Sequence, residues 1–184
     1  MGYSYIYGRF NKVGGAYMLD RANPVASQFQ LTIDAASIDT NDQKRDDQLK
    51  GPDFFNVKQF PVISFQSTGV TVQQTDRGTV YQVAGNLTIH GVTRPVTLPV
   101  QKLGEGNGPA GNYRTGFLCQ TNLKRSEFGM TNMIPMVGDE IAITVSFEGL
   151  RQGAPAGSGA AQKEGSGTAS PPPTPPAGSG SADK

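Results

Sequence analysis

The chain is predicted to be all-β, with about eight antiparallel strands and one short helix around a single core. Three observations carry this. Apolar residues recur with a period of two through most of the sequence, helical spacing is nearly absent, and Gly-, Pro-, Asn- and Asp-rich segments separate the alternating runs. The core is confined to residues 1–151. From Gln152 to Lys184 there is no Val, Ile, Leu, Met, Phe, Tyr or Cys, so that stretch cannot offset its ordering entropy and reads as a disordered tail. Within it, Ser170 to Pro176 favours polyproline II, which fits a linker better than an adaptor for a proline-reading domain.

An opening strand is expected across Tyr3 to Phe10 and another across Gly14 to Asp20. In Gln28 to Asp34, Phe29, Leu31 and Ile33 share one face, opposite Gln30 and Thr32. Thr40 to Lys50 is the one helical segment: Thr40 is placed to cap it, Gln43 completes a capping box, and Gly51-Pro52 ends it. Asp53-Phe54-Phe55 should make a turn that lays two rings on the sheet. Ile63 and Phe65 alternate with Ser64 and Gln66. Farther on, Tyr81, Val83, Leu87 and Ile89 oppose Gln82, Asn86, Thr88 and His90. Val96, Leu98 and Val100 follow the same rule, as do Phe117, Cys119 and Leu123, and then Ile141, Ile143, Val145 and Phe147. Gly104 to Pro109 reads as a loop between strands. One-faced strands of this kind close as a sandwich or a barrel, and periodicity does not choose between them.

Composition excludes several partners. The 16 Lys and Arg nearly balance 15 Asp and Glu, with no basic stripe for nucleic acid. No transmembrane stretch of roughly 18 apolar residues occurs. One His and one Cys leave no clustered zinc ligands and no intrachain disulfide. The acids Asp39, Asp42, Asp46, Asp47 and Asp53 lack an EF-hand glycine and alternate with bases, as on a solvated helix. His90 precedes Gly91 at a strand end and fits a structural hydrogen bond better than acid–base chemistry. Arg125 and Glu127 read as a pair that pins a loop, with contact to a ligand headgroup as the alternative. Cys119 shares an apolar face and reads as a small buried hydrophobe.

Four motifs run in order over roughly Gly8 to Leu150. They are Ser37-Ile38-Asp39-Thr40 with Arg45-Asp46 and Leu49; Asp53-Phe54-Phe55 with Phe60-Pro61 and Ile63-Ser64-Phe65; Gly85 through Thr93; and Arg125-Ser126-Glu127-Phe128-Gly129-Met130. Together they resemble the YceI-like, polyisoprenoid-binding family. The resemblance implies an extended lipocalin-like barrel over 1–151, usually exported and so periplasmic or secreted, with a pore that takes a polyisoprenoid or similar long-chain lipid. It implies no catalysis and no cofactor. The expected ligand-binding residues are Phe29, Leu31, Ile33, Ile63, Phe65, Val83, Leu87, Val96, Leu98, Phe117, Ile143, Val145 and Phe147; an ordinary filled core is the competing reading of the same residues. The rival functions are a lipocalin-like enzyme built on His90 and a stress-related structural barrel with a dry interior. The barrel is expected as a monomer or a homodimer.

Two departures from the family pattern stand out. Glu127 occupies a position where the family commonly has Asp. Gly2 to Phe10 resembles the family's early Gly-x-Ser-x-x-x-Gly-x-Phe stretch, which ends a first strand. The expectation is therefore an incomplete first strand in this chain, with further strand residues and an export signal upstream of Met1 in the genomic frame. No signal peptide is legible in the residues given, and a cytoplasmic protein is the alternative.

Overall fold

The computed structural model describes residues 5–20, 22–76, 78–109 and 111–150; the tail expected over 152–184 lies outside them. The strands are β1 (Arg9–Phe10), β2 (Val13–Met18), β3 (Gln28–Asp34), β4 (Ile38–Asp39), β5 (Val62–Thr75), β6 (Gly78–Ile89), β7 (Val92–Asn107), β8 (Tyr113–Lys124) and β9 (Glu140–Leu150), with α1 (Gln43–Lys50) between β4 and β5. One antiparallel 7-stranded sheet runs β2-β3-β5-β6-β7-β8-β9. The expected all-β, antiparallel class with one short helix is what the chain adopts.

The sheet curls into a half-barrel because its inward face is mostly apolar. In β6, Tyr81, Val83, Leu87 and Ile89 are buried between less buried neighbours, as period two requires. Phe117 and Val83 reach 0 % exposure at the centre of the core. The two sheet edges, β2 and β9, meet through a side chain: the Tyr17 ring of β2 lies where a Cβ on Gly149 of β9 would stand.

Several expectations change in detail. Among the described residues, the opening strand is reduced to Arg9–Phe10, and it pairs with β4 instead of joining the large sheet. Asp39 ties this pairing: its carboxylate accepts from Arg9 Nη2 at 3.2 Å and from Asn11 Nδ2 at 3.1 Å. The helix begins two residues later than its motif suggested. Asp42 caps it, accepting from the Arg45 amide at 3.1 Å. Thr40 is committed elsewhere, since its amide and hydroxyl both bond Asp46 Oδ1. Gly104 to Asn107 belongs to β7 and not to a loop: these four residues pair in turn with Gly116, Thr115, Arg114 and Tyr113, although the two glycines among them carry no hydropathy signal.

β7 also explains why the curl is not a uniform cylinder. It pairs with β6 from Val92 to Gln101, but with β8 only from Val100 onward. The unpaired stretch carries Pro95 and Pro99, which lack amide hydrogens and suit strand edges. At the same end, β6 turns into β7 through His90 (φ 52) and Gly91 (φ 74), the two positive angles of a tight hairpin. A Cβ on Gly91 would overlap the Phe60 ring. Gly91→Ala is therefore expected to destabilise by at least about 2 kcal/mol, from backbone strain plus overlap. Gly106→Ala, with nothing within 4 Å of the new methyl, should stay within about 0.5 kcal/mol. Urea midpoints of the two variants check this.

Candidate functional site

The candidate site is the inward face of the sheet. Phe29, Ile63, Phe65, Val83, Leu87 and Phe117 are buried in one apolar cluster, and Leu31, Ile33, Val96, Leu98, Val145 and Phe147 pack against it half-buried. Ile143 shares the inner face of β9 with Val145 and Phe147 but stands outside the cluster. The registers show how the strands bring these residues together: Leu31 faces Phe65, Phe65 faces Leu87, Val83 faces Leu98, and Phe117 faces Phe147. Gly85 lies opposite Ser67 and leaves its inward space to the Phe65 ring, which a Cβ there would strike.

Exposure is graded across this face. Its centre, on β5, β6 and β8, is closed to solvent. Leu31 and Ile33 of β3 and the lining of β9 are half-buried, and so are Val96 and Leu98 where β7 leaves β8. An apolar chain laid along the interior would cover these half-buried side chains.

Sequence reasoning missed Tyr17. Its ring stacks on Phe29 (5.8 Å between centroids) and meets Phe117 edge-on at 5.1 Å and Phe147 at 6.2 Å. Phe147 stacks on Phe117 at 5.2 Å, and Tyr81 approaches the same ring at 6.3 Å. These rings fill one level of the interior and hold the two edges together. The Val13-Gly14-Gly15-Ala16 run before Tyr17 offers no alternation from which its direction could be read.

A cleft of about 420 Å³ opens at the end of the half-barrel where β7 finishes and β8 begins. Gly104, Gly106, Arg114, Gly116, Ser146 and Glu148 line it, with Glu105, Phe117 and Phe147 also contributing. The glycines and Arg114, Ser146 and Glu148 lie in register on the outward face, so the cleft reaches the inner face only at its edge. Arg114 Nη1 and Glu148 Oε2 form an ion pair across it at 3.0 Å.

The opposite end is capped. Arg125, 6 % exposed, donates from Nε to the Gly138 carbonyl (2.9 Å), from Nη1 to those of Met130 and Asn132 (2.8 Å each), and from Nη2 to Val137 (3.0 Å). Its guanidinium carbon also lies 5.9 Å from the Phe54 ring centroid. Arg125 thus pins the loop, and its donors are turned to the main chain and away from any headgroup. Glu127 is not its partner in this; the Glu127 carbonyl accepts from Arg94 Nε at 3.0 Å. Asp139 secures the other side of the loop, accepting from the Ser126 amide (2.8 Å) and hydroxyl (2.7 Å). Those two bonds hold its carboxyl below the usual carboxylate range.

The remaining candidates have structural places. His90 Nδ1 is 3.3 Å from the Phe128 carbonyl, and its ring stands edge-on to Phe60 at 4.7 Å. Cys119 faces inward, and burial pushes its thiol pKa up, which suits packing and not nucleophilic chemistry. Asp39, Asp42 and Asp46 bind Arg9, the Arg45 amide and Thr40, respectively.

Comparison with known proteins gives this geometry a setting. A family model described as the YceI-like domain matches residues 1–149. A UPF0312 protein of Pseudomonas paraeruginosa is 41% identical over 152 residues, covering 83% of this chain and 78% of that protein. The crystal structure of the Campylobacter jejuni YceI protein superposes with a TM-score of 0.73 at 25% identity, covering 83% of this chain and 89% of its own. A domain from Saccharophagus degradans described as polyisoprenoid binding shares the fold, with a TM-score of 0.54 at 17% identity and coverage of 77% of this chain and 83% of its own.

Proposed function

The chain belongs to the YceI-like domain family, and from that premise we propose that it binds a long-chain, prenyl-type lipid along the inner face of its half-barrel without transforming it. The observation that carries the reading is the inner face itself: an apolar surface continuous from β3 to β9, sealed at its centre and half-open toward both edges. A polyisoprenoid tail is long, slim and uncharged, so removal from water is the main interaction it needs. At about 25 cal/mol per Å² of apolar area, a few prenyl units supply ample free energy before ordering costs are subtracted. Phe29, Leu31, Ile33, Ile63, Phe65, Val83, Leu87, Val96, Leu98, Phe117, Ile143, Val145 and Phe147 are the proposed contacts. The aromatic level around Tyr17 and Phe117 must shift to admit a tail, and the edges β2 and β9, joined there by side chains, are where it yields.

A binding role without catalysis is supported by the environment of His90, which is wedged between Phe60 and the Phe128 carbonyl. Carriage or storage of the lipid in the cell envelope, after export, is the role in which we place this binding. Solvent extraction of the purified protein, followed by mass spectrometry of the extract, tests the reading. A prenyl or other long-chain lipid bound in stoichiometric amount is the expected result. Absence of any such lipid, together with failure to take up added polyprenols, would mean a structural barrel with a filled interior.

A further inference from the structure

Lys102 and Glu105 are three residues apart on β7, a spacing that places side chains on opposite faces of a regular strand. Here they share the inner face. Lys102 lies opposite Phe117, the register then slips at Leu103, and Glu105 lies opposite buried Thr115. The extra residue is a β-bulge, a device that re-aims a side chain. Lys102 Nζ and Glu105 Oε1 meet at 2.6 Å, with the two side chains 22 % and 21 % exposed. The backbone around Glu105 is open, flanked by Gly104 and Gly106, where a methyl would find nothing within 4 Å. A closely held ion pair thus stands on the apolar lining, toward the end away from the Arg125 loop and across the strand pair from Phe117.

We propose that this pair binds the polar end of the lipid, and that the head it accepts is a neutral hydroxyl, as in a prenyl or other long-chain alcohol. The inference rests on the lipid-binding reading above and refines it. The ammonium donates and the carboxylate accepts, so together they complement a group that does both, which a hydroxyl does. The pair carries no net charge. A phosphate or diphosphate head would bring its negative charge against Glu105, with only Lys102 on that face of the pair to offset it. That ammonium is already engaged by the Glu105 carboxylate. The wall therefore discriminates against the phosphorylated lipid.

The test measures binding of one prenyl tail in three forms, the alcohol, the monophosphate and the headless hydrocarbon, to the full chain and to Lys102→Met and Glu105→Gln. Wild type should bind the alcohol about tenfold more tightly than either other form, the worth of one hydrogen bond to a charged group. Each variant should lose that preference while keeping its affinity for the hydrocarbon. A Lys102→Met/Glu105→Leu double variant, which replaces the pair with apolar groups, guards against misfolding of the single variants. The headgroup assignment is overturned if the phosphate binds best, or if the alcohol preference survives in the folded variants. If no form binds wild type, the lipid-binding reading itself fails, and that result is distinct from either of the others.

Discussion

Arg125→Met should lower stability by about 3 kcal/mol, the range expected when a buried, multiply bonded charge is removed and its partners are left behind. The guanidinium holds the carbonyls of Met130, Asn132, Val137 and Gly138 in one cluster. A thioether cannot donate to any of them. Water can reach part of the loop once it loosens, because most of residues 131–138 are exposed, and this keeps the cost below the sum of the separate bonds. Arg125→Lys should recover only part of the loss, since an ammonium lacks the planar fork that reaches carbonyls on several sides. For a chain of this size, about 3 kcal/mol corresponds to roughly 6–12 °C in melting temperature. Chemical denaturation of both variants measures the effect. A change below about 0.5 kcal/mol in Arg125→Met would show that Asp139 and Ser126 hold the loop without it.

That loop also marks how far the sequence alone can be read. The motif from Arg125 to Met130 announced a special segment, but the acceptors of Arg125 are main-chain carbonyls, which every residue carries and no sequence displays. The strands were legible where β-branched and aromatic residues alternate with polar ones, and β3 coincides with the run read from Gln28 to Asp34. They were illegible where glycine interrupts the alternation. The second half of β7 reads as a loop, and β2 leads through Gly14 and Gly15 to a Tyr17 whose inward direction has no local signature. The helix cap failed for a different reason. Thr40 and Asp42 are both good caps, and the choice was made by Asp46, which engages Thr40 in the folded chain. Lys102 and Glu105 were hidden by the bulge at Leu103, because regular strand geometry places them on opposite faces.

Val145→Lys should abolish uptake of a prenyl lipid while leaving the protein folded. Val145 lies on the inner face of edge strand β9, opposite Cys119 and half-buried. From there a lysine stem can run along the apolar wall and carry its ammonium toward the edge, so the cost to folding stays moderate. For a bound hydrocarbon tail the same ammonium is a charge that must be desolvated in the path of the ligand, which is strongly disfavoured. Phe65→Lys makes the complementary case. Phe65 is 5% exposed at the sealed centre, between Leu31 and Leu87, and a cation there has no route to water. That variant should lose both stability and binding, by more than about 4 kcal/mol in stability. Thr144→Lys, one residue from Val145 on the exposed outer face, serves as the control and should bind normally. Far-UV circular dichroism with a thermal melt establishes which variants are folded, and uptake of a labelled polyprenol measures binding. A folded Val145→Lys that takes up the lipid as wild type does would remove the inner face of β9 from the binding site. Loss of binding in a folded Val145→Lys but not in Thr144→Lys would place the tail against that face, because the two lysines then stand on adjacent residues and opposite sides of the sheet.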